Sequence, residues 1–320
     1  MKKLIMMAAA AMMVLASCTK TTVESIDGPK EIAFRTIESN LTKASATIGE
    51  SNNATMGVYA FNHSTTDEYF SNISFGGDAA GWKGTPSQYW PLTGALDFVV
   101  YSPYTDNTGD YKATYTSKVL TLIIPDNNTS QTDYLYGAEY FNNQSGNGGD
   151  GYTNPKNATP VNVNLKHALA KIQISVKGSS AVKVNKITLN DLTHAGTITV
   201  TYNNSTDMAT TTATPAGGYV KVGKSLYDAG TDVYTALNES TSLAGTQTAL
   251  VFPNTDQTSF TITYKIGDNP TELTTTYDIP ASKWDSGKLY TYNITITAYE
   301  ILFNPSVDTW ETGTTDPIAL

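Results

Sequence analysis

The residue types able to act as nucleophile, base or metal ligand are few in this chain, and they are scattered. Histidines stand at His63, His167 and His194, too far apart for the HxH or HxxxH spacing that places two imidazoles on one metal. His167 lies between Lys166 and Ala168 at a strand entrance, where a packed or hydrogen-bonded structural histidine is expected. The single cysteine, Cys18, allows no internal disulfide and no Cys-based metal site. The chain contains no GxSxG and no GxGxxG ahead of a helix. GNGGDG at 146–151 has the Gly and Asp of a calcium loop but neither the repeat nor the distal Glu such sites use, so it reads as a flexible loop. Paired carboxylates for glycoside hydrolysis are a spatial pattern, and nothing in the sequence marks a pair among the 29 acids. The sequence therefore assigns no catalytic residue, no metal and no cofactor.

Four tryptophans raise a different chemistry, stacking on sugar rings, which requires Trp82, Trp90, Trp284 or Trp310 to share an exposed face. Trp90 in QYWP and Trp284 in SKWDSG flank strands, where a large aromatic closes the end of a core. Trp82 in the Gly-rich GWKG is expected to be exposed, and a glycan-binding reading rests on it.

The elements that must position these residues begin after an export signal. MKKLIMMAAAAMMVLASCTK has a basic tip at Lys2 and Lys3 and an apolar run from Leu4 to Leu15, too short for a permanent membrane span. Leu15-Ala16-Ser17-Cys18 resembles a bacterial lipobox, in which Cys18 becomes the acylated first residue of the mature protein. Residues 1–17 are then the signal peptide and 18–30 a lipidated linker. The whole chain carries 20 basic and 29 acidic residues, a net charge of −9. Loss of Lys2 and Lys3 with the signal leaves 18 against 29, or −11. Such a chain repels phosphate backbones, which argues against a nucleic-acid partner.

The remaining chain reads as all β. Alternating or short apolar runs occur at GVYAF (57–61), LDFVVY (96–101), VLTLII (119–124), KIQISV (171–176), VNKITL (184–189), TITVTY (197–202), TALVF (248–252), SFTITYKI (259–266) and LYTYNITITAY (289–299). Turn clusters such as DNTGD (106–110), PDNN (125–128), PAGG (215–218) and GDNP (267–270) separate them. Many short strands with such spacing predict a sandwich or a pair of sandwiches. NNQSGNGGDGYTNPKNATP (142–160) lacks apolar period and is either a long surface loop or a linker. A boundary near residue 158 gives an N-terminal domain over 31–158, a C-terminal domain over 159–298 and a tail over 299–320.

QYWPLTGALDFVVYSPY (88–104), TDYLYG (132–137), LKHALAKIQISV (165–176), WDSGKLYTYNITIT (284–297) and VDTWETG (307–313) resemble, in that order, recurring segments of the Bacteroidales fimbrillin family, the lipoprotein-derived type V pilins of the FimA and Mfa type. The resemblance implies two transthyretin-like Greek-key β-sandwich domains and a structural, non-catalytic role in a surface fimbrium (pilus). It implies a precursor lipid-anchored to the outer membrane and a trypsin-like maturation protease that cuts beyond the first β-strand. It also implies other pilin subunits as partners, one of which fills the vacated groove with a strand of its own by β-augmentation.

On that pattern EIAFRTI (31–37) is the plug, with Ile32, Phe34 and Thr36 on one face and Ala33, Arg35 and Ile37 on the other. Two basic residues compete as the cleavage site. Arg35, the one arginine of the chain, lies within the strand, where paired backbone resists a protease. It is then expected to be a solvent-facing residue on an edge strand. Lys43, in the polar SNLTKASA, follows the strand and is favoured. It stands where the family usually shows arginine, which leaves the identity of the protease open. The tail offers Tyr299, Ile301 and Phe303 alternating on one face as the candidate donor strand, with Ile318 and Leu320 beyond. The same tail is also readable as a final edge strand folded back on its own sandwich. Beside the pilin stand two readings from other classes: a surface lipoprotein that binds glycans without polymerising, and a secreted hydrolase with converging acids.

Overall fold

The computed structural model describes residues 30–36, 55–78, 81–127, 131–137, 152–153, 160–202, 209–215, 222–246, 248–253, 258–279 and 284–310. These residues form strands and their connections, with no helix among them. The first eleven strands are β1 (Ala33–Thr36), β2 (Thr55–Asn62), β3 (Glu68–Asp78), β4 (Gly81–Thr85), β5 (Ala95–Ser102), β6 (Lys112–Thr116), β7 (Val119–Ile124), β8 (Leu135–Gly137), β9 (Tyr152–Thr153), β10 (Val161–Val163) and β11 (Leu165–His167). The second eleven are β12 (Ala170–Gly178), β13 (Val182–Leu192), β14 (Gly196–Tyr202), β15 (Ala209–Pro215), β16 (Val222–Asp228), β17 (Thr235–Ala236), β18 (Ala249–Val251), β19 (Thr258–Ile266), β20 (Leu273–Ile279), β21 (Lys288–Ile296) and β22 (Ile301–Thr309). Each of the nine apolar runs read from the sequence falls on a strand. β12 alternates strictly, with every second side chain buried, because one face meets a core and the other meets water.

The first sheet runs β10-β1-β4-β3-β2-β5-β8-β11, with β9 also on β5. Its two end strands, β10 and β11, are separated in the chain by Asn164 alone. The sheet therefore curls back on itself like a barrel, and its concave face encloses a core that includes Ile32, Phe34, Phe75, Trp82, Phe98 and Val161. The convex side of the same sheet packs on a second sheet, β15-β14-β7-β6, through Tyr59, Val99, Tyr101, Leu120, Leu122 and Val200. β2 and β5 thus bury both faces, which is why their sequences read as continuous apolar runs. Gly57 of β2 sits opposite Tyr101 of β5, where the tyrosine ring lies over it. A Cβ on Gly57 would come within 2.1 Å of that ring.

The third core lies between sheets β18-β12-β21-β22 and β16-β13-β19-β20, with β17 on β13. It is filled by Val184, Ile187, Phe260, Ile262, Trp284 and Tyr292 among others. The expected boundary at residue 158 does not separate these units. β10 and β11 complete the first sheet, and the β14–β15 hairpin pairs with β7 from Gly196↔Ile124 to Thr201↔Val119. Alternation reports which faces of a strand are buried but not which strand it pairs with, so the hairpin's return to the earlier sandwich left no trace in the periodicity. The Gly/Asn-rich stretch at 142–160 also contributes a structural piece, since its residues 152–153 form β9 against β5.

Candidate functional site

β1 is short but held on both sides. Phe34, Arg35 and Thr36 run parallel to Val161, Asn162 and Val163 of β10, and Ala33 and Phe34 run antiparallel to Lys83 and Trp82 of β4. It is therefore an inner strand of the first sheet, which corrects the expectation that Arg35 sits on an edge strand. The parallel pairing with residues 161–163, beyond the expected domain limit, supplies the second neighbour.

Ile32 and Phe34 point into the concave core. Ile32 and Phe34 are both fully buried. Phe34 meets Phe75 edge-on at 4.9 Å between ring centres and Phe98 at 5.0 Å, geometry that aromatic quadrupoles favour. Trp90 in turn meets Phe98 edge-on at 5.8 Å. Ahead of β1 the chain is tied to the QYWP segment. Ile32 N donates to Gln88 O at 2.7 Å, and Trp90 N donates to Lys30 O at 2.9 Å. Ser87 Oγ donates to Glu31 Oε1 at 2.7 Å, and Lys83 Nζ lies 2.9 Å from Glu31 Oε2. The Ser87 hydrogen bond first, and the lysine second, hold the Glu31 carboxyl below its ordinary range. The Glu31–Lys83 pair is largely exposed and adds little stability by itself. The grip on β1 is apolar burial plus a two-sided backbone ladder.

The tryptophans do not form a platform. Trp82, expected to be exposed, is 2% exposed, because GWKG is a strand whose period points the indole inward opposite Phe34. Trp90 and Trp284 are buried as expected of core residues. Trp310 stacks on His167 with ring centres 3.5 Å apart and planes within 6°.

Each histidine pairs through Nδ1 with an aspartate, and no two share a site: His63 with Asp97 at 3.0 Å, His167 with Asp133 at 2.8 Å and His194 with Asp126 at 2.8 Å. These are structural pairings of the kind expected for His167. Asp97 is fully buried. Desolvation pushes its carboxyl up to about 6, against the opposing pull of His63. No group of three or more His, Cys, Asp or Glu able to hold a metal occurs among the described residues.

The tail folds on its own unit in this single chain. β22 pairs antiparallel with β21 over its whole length, from Ile301↔Ile296 to Thr309↔Lys288. Ile301 and Phe303 are half-buried against the third core, Phe303 stacking on Tyr277 at 3.6 Å. Tyr299 does not share their face, since it stands in the turn before β22 and is 97% exposed. Its place in the alternation was misread because TAY reads as a continuation of β21, which ends at Ile296. Cys18, Lys43, Ile37, Ile318 and Leu320 lie outside the described residues.

What sequence reasoning missed is the socket. Val161 and Val163 line one side of β1, and the VNVN alternation that holds them lies beyond the expected boundary at residue 158. The stack between His167 and Trp310 joins residues 143 apart in number and carried no local signal.

The geometry can now be set beside known proteins. No curated protein matches the chain in sequence. Among solved structures, a protein of Bacteroides uniformis described as a candidate for cell adhesion superposes with a TM-score of 0.53 at 18% identity, over 89% of this chain and 100% of the other. A fimbrial protein of Bacteroides vulgatus gives 0.53 at 16% identity, over 88% and 99%. A candidate cell adhesion protein of Bacteroides ovatus gives 0.51 at 16% identity, over 88% and 97%. At these identities the likeness is one of fold. In sequence, the model of the family described as fimbrillin-like matches residues 42–310, most of the chain and every strand after β1. The chain belongs to the fimbrillin-like family.

Proposed function

We propose that this chain is a structural subunit of a surface fimbrium, exported as a lipoprotein anchored to the outer membrane through Cys18 and assembled by loss of β1. A trypsin-like protease removes the plug, and a strand of another copy takes its place between β4 and β10. No catalytic role is assigned. The observation that carries the reading is the position of β1: four residues long, inserted between two strands, with Ile32 and Phe34 fully buried in an aromatic socket. Full burial of such side chains is worth about 1.5–3 kcal/mol each, so an incoming strand with matching side chains recovers what the plug gave up. The emptied slot has unpaired backbone on two sides, a strong drive to associate.

Lys43 is the favoured cleavage site, because the backbone at Arg35 is paired with Asn162 inside the sheet and is closed to a protease. The C-terminal tail, with Ile301 and Phe303, is the favoured donor. Donation then requires β22 to leave β21. The family membership and the fimbrial protein among the structural neighbours both support a pilus or adhesion role. The glycan-platform reading loses its residue with Trp82 in the core.

The test is intact mass and N-terminal sequencing of the protein from the cell surface, before and after trypsin, with the products run unboiled on a gel. A new N-terminus at Ala44 together with a ladder of heat-sensitive oligomers is expected. A chain that keeps acylated Cys18 and stays monomeric would overturn the stalk-subunit reading.

A further inference from the structure

β22 is tied down at its far end by one large side chain. Immediately after the strand, Trp310 N donates to Gly287 O at 2.7 Å. Its indole stacks on His167, with Lys171 Nζ 5.6 Å from the ring centre. His167 is 5% exposed and its Nδ1 is paired with Asp133 at 2.8 Å, which fixes the plane on which the indole lies. Trp310 packs against the second core, between the first and second sheets, although β22 belongs to a sheet around the third. The tail is thus pinned across two units by this ring.

His167 is also the last residue of a short segment that leads back to the plug. β10 stands at the end of the first sheet with β1 as its neighbour there. One residue, Asn164, separates β10 from β11, and β11 ends in His167. The seven residues Val161–His167 therefore run from the strand that pairs with the plug to the ring that holds the tail.

We infer that Trp310 is the latch of the tail, and that the β10–β11 segment couples this latch to the plug, so that loosening β1 loosens β22. This deepens the donor-strand reading and rests on it for its purpose: an intact subunit keeps its tail at home, and an opened one releases it. The coupling itself is a property of the isolated chain and is measured without any protease. A thermodynamic coupling is reciprocal, so loss of the latch must also loosen β1. A ring that merely fills space at the end of β22 would have no such distant effect.

The experiment is hydrogen exchange by mass spectrometry on the full-length chain and three variants, Phe34→Ala, Trp310→Ala and Trp310→Phe. In Phe34→Ala, amides of 301–309 are expected to exchange at least tenfold faster, while those of β13 and β19 are unchanged. In Trp310→Ala the same acceleration is expected at 301–309 and, by reciprocity, at 33–36. Trp310→Phe, which keeps a ring for the stack, is expected to restore most of the protection. If Phe34→Ala does not fold, Ile32→Val reads the same coupling at smaller amplitude. Unchanged exchange at 301–309 on weakening the plug, or at 33–36 on removing the indole, overturns the coupling. Failure of the trypsin-cut protein to polymerise, with the coupling intact, would instead overturn the plug-removal reading and leave the latch standing.

Discussion

Replacing Phe34 by alanine is the most direct probe of how β1 is held. The side chain is fully buried and meets two other phenylalanines edge-on. Truncating a buried phenylalanine costs about 3–5 kcal/mol, and each well-oriented aromatic pair contributes about 0.5–1.5 kcal/mol beyond its area. With both pairs lost, the upper part of that range, about 4–5 kcal/mol, is expected. Against a total stability of roughly 5–15 kcal/mol this is a large fraction. At about 2–4 °C per kcal/mol for a unit of this size, the melting midpoint of the first sandwich should fall by roughly 8–20 °C. Urea unfolding followed by tryptophan fluorescence reads this well, because Trp82 and Trp90 lie in the same core as Phe34. Tyr299→Ala, at a 97% exposed position, serves as the control and should change stability by less than about 0.5 kcal/mol. A loss below about 1 kcal/mol for Phe34→Ala would mean that β1 does not seal the concave core, and the plug argument would fail with it.

Two further outcomes follow from the same cores. The Asp97 carboxyl titrates near 6 when folded, raised from an ordinary value near 4 by burial. The folded state then binds a proton the unfolded state has lost, so stability should fall by up to about 3 kcal/mol as pH rises from about 4 to about 6. In Asp97→Asn that slope should vanish, and its persistence in denaturation curves across this range would show that another group causes it. Gly57→Ala drives a methyl to within 2.1 Å of the Tyr101 ring and should cost about 1–3 kcal/mol by overpacking. A neutral result in the same urea series would mean that the ring does not lie over Gly57.

The strands were legible in the sequence because burial writes itself into alternation. Even the two-sided burial of β2 and β5 shows as GVYAF and LDFVVY. That Ile32 and Phe34 share one face of a short strand was legible, and both do point into a core. Pairing was not legible. Nothing local in VNV says that it lies beside AFRT, and nothing in TITVTY says that it lies beside VLTLII, since the ladder is made by backbone groups every residue has. The Gly-rich surroundings of Trp82 look like a loop, whereas in β4 the alternation puts Trp82 and Gly84 on the buried face and Lys83 on the exposed one. At the far end, Trp310 stacks on His167, a partner so distant in the chain that no local pattern carries the contact.

The hairpin β14–β15, lent to the first sandwich from beyond residue 195, also fixes an order of events in time. A chain that emerges with its N-terminus first presents β1 through β9 well before β10, β11 and the β14–β15 hairpin. Until about residue 163 is out, β1 has β4 for a partner but not β10. Until residue 215 is out, β7 has β6 on one side and nothing on the other. Such long-range closures are slow and leave sheet edges open while they wait. The first sandwich therefore stays open until residue 215 has emerged. The interval before it closes is one in which neighbouring chains can pair wrongly.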